Sequence, residues 1–318
     1  MNVTAVADLL RSSNDILITS HANPDGDAIG CLLGFGRLAQ LLDKTMVLWA
    51  PDGIPDFYSY LPMAKDTVSL VPRDWVFDAT FVLDTADPAL LGPGFPPQER
   101  AGRVCVVDHH LRATQWGDIV WRDATAAATG VLVFELAREL GVGPDRDMAD
   151  CLWASIYTDT GGFRYSSTDS RVLRVGADLL DWGVDPWRAS TAIFESNPPA
   201  RIRLLAEVLS TLELWLDGRL ASITVTQEML DRAGLDHSTL DTFINHPRSI
   251  RGVEVAIQFS ERSGGIKVSF RSKGKVDVSA LARRFGGGGH RNAAGCRLET
   301  DMDTAKKQVV AAASEIIS

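Results

Sequence analysis

Residues 15–50 read "DILITSHANPDGDAIGCLLGFGRLAQLLDKTMVLWA", and this stretch decides the fold class. It opens with a short apolar run, continues with apolar residues at helical spacing and closes on a second apolar run, "TMVLWA". This order predicts a strand, a helix and a second strand. His21, Asp25 and Asp27 lie within seven positions directly after the first run, which is an excess of charge for a simple turn.

The same pattern recurs farther along the chain. The runs "ATFVLDTAD" (79–87) and "RVCVVDHH" (103–110) have strand length and end in acidic or histidine clusters. The segments "TGVLVFELAREL" (129–140), with Thr129 as the N-cap, and "DMADCLWASIYTDTGGF" (147–163) favour helices. Strands that alternate with helices predict an α/β fold whose parallel sheet is flanked by helices.

A second domain is expected because 318 residues exceed the usual size of a single core. Pro198 and Pro199 interrupt the helical texture and lie where two domains could be joined. Beyond them, the segments 219–226, 253–261 and 265–273 alternate apolar and polar residues as half-buried strands do. We expect an N-terminal domain at 1–190, an interdomain linker at 191–208 and a smaller, mixed-sheet α/β domain at 209–318.

The composition narrows the classes of function. The net charge of −9 argues against a broad electrostatic grip on long nucleic acid. The four cysteines are far apart and have no zinc-site spacing, so we expect buried thiols. The N-terminus lacks the features of a signal peptide, and no apolar run is long enough for a membrane span. We therefore expect a cytoplasmic protein with no membrane association.

Carboxylates and imidazoles stand at the ends of apolar runs in four separate segments. They are His21, Asp25 and Asp27; Asp84 and Asp87; Asp108, His109 and His110; and Asp159. The carboxyl ends of strands in an open parallel sheet share one crevice, where these side chains would gather. Such crowding raises carboxylate pKa values unless cations compensate. Oxygen ligands with a few imidazoles suit Mn²⁺ or Mg²⁺, and the number of ligands suggests two ions.

Two ions roughly 3.5 to 4 Å apart can hydrolyse a phosphate ester, so hydrolysis is the first functional hypothesis. Each segment also has a plainer interpretation. "NPDGD" is ordinary turn chemistry, with Asp27 near the N-terminus of the following helix. "DHH" could simply end a strand, and Asp159 could end a helix. The plainer interpretation is favoured for "NPDGD" alone, but the joint occurrence of all these segments favours a metal site.

The C-terminal segment combines four glycines with a histidine in "GGGGHRNAAGCRL" (286–298). A flexible linker would be followed by polar residues, whereas a glycine-rich turn lets backbone N–H groups approach an anion closely. Arg271 lies on a predicted strand shortly before this loop and could pair with a phosphate near His290. A solvated arginine at a sheet edge is an equally good interpretation.

In order and approximate spacing, "HANPDGDAIG", "DTAD", "DHH" and "TDTGGF" resemble the motifs of the DHH phosphoesterases across nearly the whole chain. The segments "FRSK" and "GGGGHRNAAG" resemble the DHH-associated C-terminal domain of the subgroup that degrades short oligoribonucleotides and dephosphorylates pAp. The resemblance implies a DHH catalytic domain, a smaller substrate-binding domain and an active-site cleft between them.

The resemblance also implies roles for individual residues. One metal would be held by His21 and Asp25, the other by Asp27, His109 and Asp159, with Asp84 as the bridge. His110 would serve the scissile phosphate, and Asp108 would orient the imidazole. The far end of the substrate would be gripped by Arg271, Gly286, Gly287, Gly288, Gly289 and His290.

The expected enzyme is a Mn²⁺-dependent hydrolase, with Mg²⁺ as an alternative, that acts on short oligoribonucleotides (nanoRNA) and on pAp. The close rivals are a phosphodiesterase for cyclic di-AMP or the linear dinucleotide pApA, and a RecJ-like single-strand exonuclease. A pyrophosphatase of the family shares the N-terminal motifs, but the glycine-histidine segment here resembles the nucleotide-handling domain instead. A non-catalytic nucleotide sensor is the hypothesis from a different class, but it would not need the metal positions. The sequence leaves room for a homodimer.

Overall fold

The computed structural model describes residues 3–110, 116–143, 145–240 and 242–317, with His290 described by its backbone alone. The chain divides into two compact units, Met1–Ser196 and Asn197–Ser318. The division lies between a helix that ends at Phe194 and a helix that begins at Pro199. Much of the segment 191–208 is therefore helical, and Pro199 occupies the first helical turn, where its missing N–H costs nothing.

The first unit alternates strands with helices along the chain. Its elements are α1 (Val3–Ser12), β1 (Asp15–Thr19), α2 (Gly26–Leu41), β2 (Thr45–Trp49), β3 (Thr67–Val68), β4 (Ala79–Leu83), α3 (Gln98–Ala101), β5 (Arg103–Asp108), β6 (Ile119–Arg122), α4 (Thr129–Glu139), α5 (Arg146–Asp159), α6 (Ser170–Asp181) and α7 (Pro186–Phe194). The six strands form one sheet in the order β3-β2-β1-β4-β5-β6, and every neighbouring pair is parallel. The predicted parallel sheet is thus confirmed.

The two faces of this sheet are covered differently. The side chains of Ile16, Ile18 and Phe81 belong to a large core shared with α1, α2, α4 and α5. On the opposite face, Leu17 and Val82 pack in smaller clusters with aromatic residues of the connecting loops. Alternating strand residues therefore enter both cores, which explains why the strands read as continuous apolar runs.

The second unit is a mixed α/β domain, as expected. Its elements are α8 (Pro199–Ser210), β7 (Glu213–Trp215), β8 (Leu220–Val225), α9 (Gln227–Ala233), α10 (Asn245–Ser249), β9 (Val255–Arg262), β10 (Gly265–Ser272), α11 (Val278–Arg283), β11 (Gly288–His290), β12 (Ala293–Leu298) and α12 (Met302–Ile316). Its sheet has the order β11-β12-β10-β9-β8-β7, in which β8 and β9 are parallel and the other pairs are antiparallel.

The predicted start of α4 is wrong by one residue, for a reason that concerns the site. Ala128 is the N-cap and provides no side-chain cap, while Thr129 is already helical. The first N–H groups of this helix are satisfied by a carboxylate from another part of the chain. All four cysteines are buried and free. Across the described ranges, no helix combines the length and apolar character needed to cross a membrane.

Candidate active site

The strand order of the parallel sheet creates a crevice at the carboxyl ends of β1 and β4. The chain leaves β1 through α2 and returns as β2 on one side of β1, whereas β4 lies on the other side. Such a reversal of direction leaves an opening outside the strand ends, where ligands bind in α/β proteins. The hydroxyl of Ser20 donates to the carbonyl of Leu83 at 2.8 Å and ties the two strand ends together.

Asp84 directly follows β4 and lies at the centre of the crevice. Its side chain is 2% exposed, and its backbone has a φ of +61°, a left-handed conformation uncommon outside glycine. Its two carboxylate oxygens face different imidazoles. Oδ2 lies 3.6 Å from Nε2 of His21, and Oδ1 lies 3.6 Å from Nε2 of His109. Asp84 therefore joins two groups of potential ligands.

The first group consists of His21, Asp25 and Asp84, whose ligand atoms lie within 4.8 Å of one another. Nδ1 of His21 lies 2.9 Å from the carbonyl oxygen of Ala22. A carbonyl oxygen only accepts, so Nδ1 carries the proton of this hydrogen bond, and Nε2 is the nitrogen that faces Asp84. Asp25 is the N-cap of α2 and accepts from the backbone of Asp27 and Ala28 through Oδ1.

The second group consists of Asp27, His109 and Asp159, again within 4.8 Å of one another. Nε2 of His109 lies 3.5 Å from Asp27 Oδ2 and 3.6 Å from Asp159 Oδ2. Nδ1 of His109 lies 3.1 Å from the carbonyl oxygen of Ala126. As in His21, Nδ1 therefore bonds to a backbone carbonyl and Nε2 faces the carboxylates. Both histidines thus turn Nε2 toward carboxylates, which is the arrangement of a histidine ready to bind a metal.

Asp27 is held by the N-terminus of α4. Its Oδ2 accepts from the backbone N–H of Thr129 at 2.7 Å, and its Oδ1 accepts from Gly130 at 3.2 Å and from the Ser155 hydroxyl at 2.5 Å. These donors support a carboxylate that is only 1% exposed. Helix α5 comes close enough for the Ser155 hydroxyl to reach Asp27 because Gly30 on α2 has no side chain. A Cβ at Gly30 would lie only 2.5 Å from the Ser155 nitrogen.

The protonation of the groups follows from burial and crowding. Burial and the negative charge of Asp27 raise the pKa of Asp84 well above its usual value. Burial lowers the pKa of His21, but its interactions with Asp84 and Asp25 outweigh this and raise it to about 9. For His109, the same opposition between burial and the charges of Asp27 and Asp159 gives a raised pKa. Each shift has the sign expected where negative charge is uncompensated.

His110 has a different environment from its neighbour. Its Nδ1 lies 2.7 Å from Oδ1 of Asp108, which also accepts from the His110 backbone N–H at 3.2 Å. Burial raises the pKa of Asp108, but the hydrogen bonds and charge of His110 lower it below the usual value. Asp108 therefore stays a carboxylate and fixes the His110 ring, whose Nδ1 is also 3.8 Å from Asp84 Oδ1.

The structure brings the six predicted metal ligands into two adjoining groups. His110, held by Asp108, forms a third such group with Asp84 and His109, again with ligand atoms within 4.8 Å of one another. Asp87 caps a short 3₁₀ turn and belongs to neither group. Three supporting residues were missed: Ala126, Gly130 and Ser155. A possible signal was the run of small residues "AAATG" (126–130) before a helix, since helix N-termini bind anions.

The predicted substrate-binding residues lie in the second unit. Arg271 is on β10 and pairs in register with Ala293 of the neighbouring strand β12. On the other side of β12, Ala293 pairs with His290 of β11. Arg271 and His290 therefore flank the same backbone position. The side chain of His290 lies outside the described part of the structure.

Three of the four loop glycines are required by the fold. Gly286 and Gly289 have φ values of +72° and +133°, and a Cβ on Gly287 would lie 2.2 Å from the Gly295 carbonyl. Gly288 differs, because its φ is ordinary and a Cβ would meet no atom of the described residues within 4 Å. The N–H groups of Gly286 and Gly287 already bond to carbonyls at the end of α11. An anion at this loop would thus have fewer backbone donors than the glycine count suggests.

Each of the two units matches a known protein domain family. A model of the DHH family N-terminal domain matches residues 15–156, and a model of the DHHA1 domain matches residues 221–318. The crystal structure of an exopolyphosphatase-related protein from Bacteroides fragilis is similar, with a TM-score of 0.91 at 29% identity, covering 98% of this chain and 95% of that one. RecJ from Thermus thermophilus, in complex with Mn²⁺, shares the fold with a TM-score of 0.52 at 14% identity, covering 98% and 53%.

Two relatives align over most of the sequence. The bifunctional oligoribonuclease and PAP phosphatase NrnA of Thermus thermophilus is 36% identical over 98% of this chain and 93% of its own length. The protein of the same name from Bacillus subtilis is 25% identical over 92% and 95%. The chain therefore belongs to the DHH family of phosphoesterases, with a DHH N-terminal domain followed by a DHHA1 domain.

Proposed function

We propose that this phosphoesterase hydrolyses short oligoribonucleotides to nucleoside monophosphates and removes a phosphate from pAp. The chemistry rests on the position of Asp84 between the two groups of ligand atoms. One of its carboxylate oxygens faces His21 and the other faces His109. The substrate class follows from the two NrnA relatives, which align over nearly the whole chain and are named for these activities.

The donor chemistry of the two groups fits two divalent cations, with Mn²⁺ as the first choice and Mg²⁺ as the alternative. All donors are carboxylate oxygens or imidazole nitrogens, the ligands that suit Mn²⁺. His21 and Asp25 would hold one ion, Asp27, His109 and Asp159 the other, and Asp84 would contact both. When bound, the two ions would polarise the phosphoryl oxygen and lower the pKa of a water molecule.

In the proposed reaction, His110 stabilises charge at the scissile phosphate. Asp108 holds the ring through Nδ1, so Nε2 is the nitrogen that can donate to a phosphate oxygen or to the leaving oxygen. The lowered pKa of Asp108 keeps a negative charge beside the His110 ring. Asp108 thus acts on the substrate through His110.

The DHHA1 domain is proposed to bind the far end of the substrate. From Arg271 to Arg297 the sequence has seven Lys or Arg residues and one Asp, which favours a polyanionic ligand. Arg271 would pair with a distal phosphate, beside His290 and the loop Gly286–Gly289. Gly288 would allow close approach, because the fold itself makes no demand for glycine there.

A side-by-side assay with Mn²⁺ tests this proposal. The substrates are pAp, RNA of two to five nucleotides, pApA, cyclic di-AMP, pyrophosphate and long single-stranded DNA. We expect the highest kcat/KM for pAp and the shortest RNAs. Preference for cyclic di-AMP, for long DNA or for pyrophosphate would replace the proposal with that activity. Nucleotide binding without turnover of any substrate would identify a sensor.

Two further expectations stay predictions. A homodimer is compatible with the sequence, and sedimentation of the purified chain would test it. A cytoplasmic location would be tested by fractionation of the native cells.

A further inference from the structure

The backbone carbonyl of Ala126 orients one of the proposed metal ligands. It accepts from Nδ1 of His109 at 3.1 Å and so directs Nε2 toward Asp27, Asp84 and Asp159. Ala126 belongs to the turn that leaves β6 and leads through buried residues 127 and 128 into α4. The same turn therefore also sets the position of the α4 N–H groups that hold Asp27.

This turn is held by several hydrogen bonds of its own. Asp123 opens it, and Oδ1 of Asp123 accepts from the backbone and hydroxyl of Thr125 at 2.9 and 2.6 Å. The Ala126 N–H donates to the Asp123 carbonyl at 3.1 Å, and the Asp123 N–H donates to the Asp108 carbonyl at 3.1 Å. These bonds shape the turn, but they leave Oδ2 of Asp123 to bond elsewhere.

Arg171, the second residue of α6, contacts that oxygen. Its Nη1 lies 2.6 Å from Asp123 Oδ2, while its Nε and Nη2 bond both oxygens of Glu135 on α4 at 2.7 and 2.8 Å. The guanidinium thus connects the start of the turn to the helix that follows the turn. The planar fork of arginine suits such a bidentate contact, and a lysine could not make all of these bonds.

We propose that Arg171 is a positioning residue for the metal site, acting on His109 and Asp27 through the turn 123–126 and the start of α4. The Arg171 side chain is 30% exposed, and its contacts with Asp123 and Glu135 form one partly buried network. Its effect is on geometry: without it, Asp123 and Glu135 repel each other, and the Ala126 carbonyl loses its fixed position. This inference rests on the proposed role of His109 as a ligand.

The test is Mn²⁺ titration of the metal-free full-length protein carrying Arg171→Ala. Direct hydrogen-bond partners of metal ligands change affinity by about 10- to 100-fold, so Arg171, which is two contacts beyond Ala126, should weaken Mn²⁺ binding less when removed, by about three- to tenfold. The Mn²⁺ concentration for half-maximal activity should rise by the same factor, while kcat at saturating Mn²⁺ is retained. Arg171→Lys should recover part of the loss.

Arg37→Ala is the matched control. Arg37 makes a similar bidentate pair with Asp145, at 3.0 and 2.8 Å, but this pair joins α2 to the beginning of α5, far along the helix from Asp159. Arg37→Ala should leave Mn²⁺ affinity unchanged. In hydrogen exchange of the metal-free protein, Arg171→Ala should accelerate amides 126–130, and Arg37→Ala should not.

The outcomes separate the positioning role of Arg171 from the ligand role of His109. Wild-type Mn²⁺ affinity in Arg171→Ala, or an equal loss in Arg37→Ala, overturns the positioning role. Unchanged affinity in His109→Ala overturns the ligand assignment itself. If Arg171→Ala does not fold, Asp123→Asn replaces it, since the amide oxygen can keep the contacts with Thr125 while the charge opposite Arg171 is removed.

Discussion

Oδ2 of Asp27 lies 2.7 Å from the backbone nitrogen of Thr129, 102 residues farther along the chain. The same carboxylate accepts from Gly130 and Ser155, so it stabilises the junction of α2, α4 and α5 as well as facing the proposed metal site. A single side chain therefore has a structural role and a proposed ligand role. Substitutions can separate the two.

Asp27→Asn should lower both metal affinity and the stability of the metal-free protein. The asparagine amide group would face N–H donors, leaving at least one buried donor unpaired, which costs about 1–3 kcal/mol. Asp159→Asn should lower metal affinity alone, because Asp159 is 34% exposed. Thermal unfolding in a chelator measures the difference, and equal melting temperatures for the two variants would contradict it.

His110→Ala should abolish most hydrolysis while metal binding is preserved. Removing a group that transfers or donates a proton typically lowers the rate by about 10²- to 10⁴-fold. Metal content, measured on the dialysed protein, should stay at the wild-type level, whereas His21→Ala should lose metal. Wild-type cleavage of a dinucleotide by His110→Ala would show that its assigned role is wrong.

Gly288→Ala should fold normally and raise KM for short RNA and pAp, because the added methyl group has no neighbour within 4 Å among the described residues and would lie on the proposed substrate side. Gly287→Ala is the contrasting variant: its Cβ would overlap the Gly295 carbonyl, so it should be destabilised. Circular dichroism and kinetics together distinguish these effects. A Gly288→Ala enzyme with unchanged KM would argue against substrate contact there.

Arg271→Ala should raise KM for pAp and short RNA much more than for a small chromogenic phosphodiester. The small substrate lacks the distal group that Arg271 is proposed to bind, so it loses little binding energy. Steady-state kinetics on both substrates provide the comparison. Equal losses would mean that Arg271 supports the fold or the chemistry rather than the distal end.

Mn²⁺ binding should release protons. The pKa of His21 is about 9 in the metal-free protein, so at neutral pH the imidazole carries a proton that the metal must displace. Apparent Mn²⁺ affinity should therefore increase as the pH rises toward about 9. Calorimetry in two buffers with different ionisation enthalpies measures the released protons. Identical heats in both buffers would contradict the prediction.

The residues at the strand ends were predictable from two facts together: apolar runs of strand length mark the strands, and parallel strands end at the same edge of a sheet. Apolar runs that end in Asp84 or in Asp108 and His109 predict parallel strands, and parallel strands bring their carboxyl ends together. The supporting contacts were not predictable, because they depend on packing between distant segments. Thr129 has the sequence features of an N-cap, yet the capping carboxylate comes from Asp27.

The loop Gly286–Gly289 is a second place where the sequence alone does not predict the role of each residue. Four glycines before His290 indicate a special backbone, but not which glycine serves the fold and which leaves space open. That distinction depends on the Gly295 carbonyl and on the end of α11, whose positions follow from strand pairing in three dimensions.

The backbone conformation of Asp84 has a consequence for protein engineering. In the metal-free chain this position combines a left-handed φ with a buried carboxylate of raised pKa, and both features destabilise the fold. Asparagine tolerates left-handed backbone and is neutral, and its oxygen can accept from the Thr129 hydroxyl as Asp84 does at 2.9 Å. A search for thermostable variants scored on the metal-free chain would therefore favour Asp84→Asn and remove the carboxylate proposed to contact both ions, so position 84 should be held fixed in any such design.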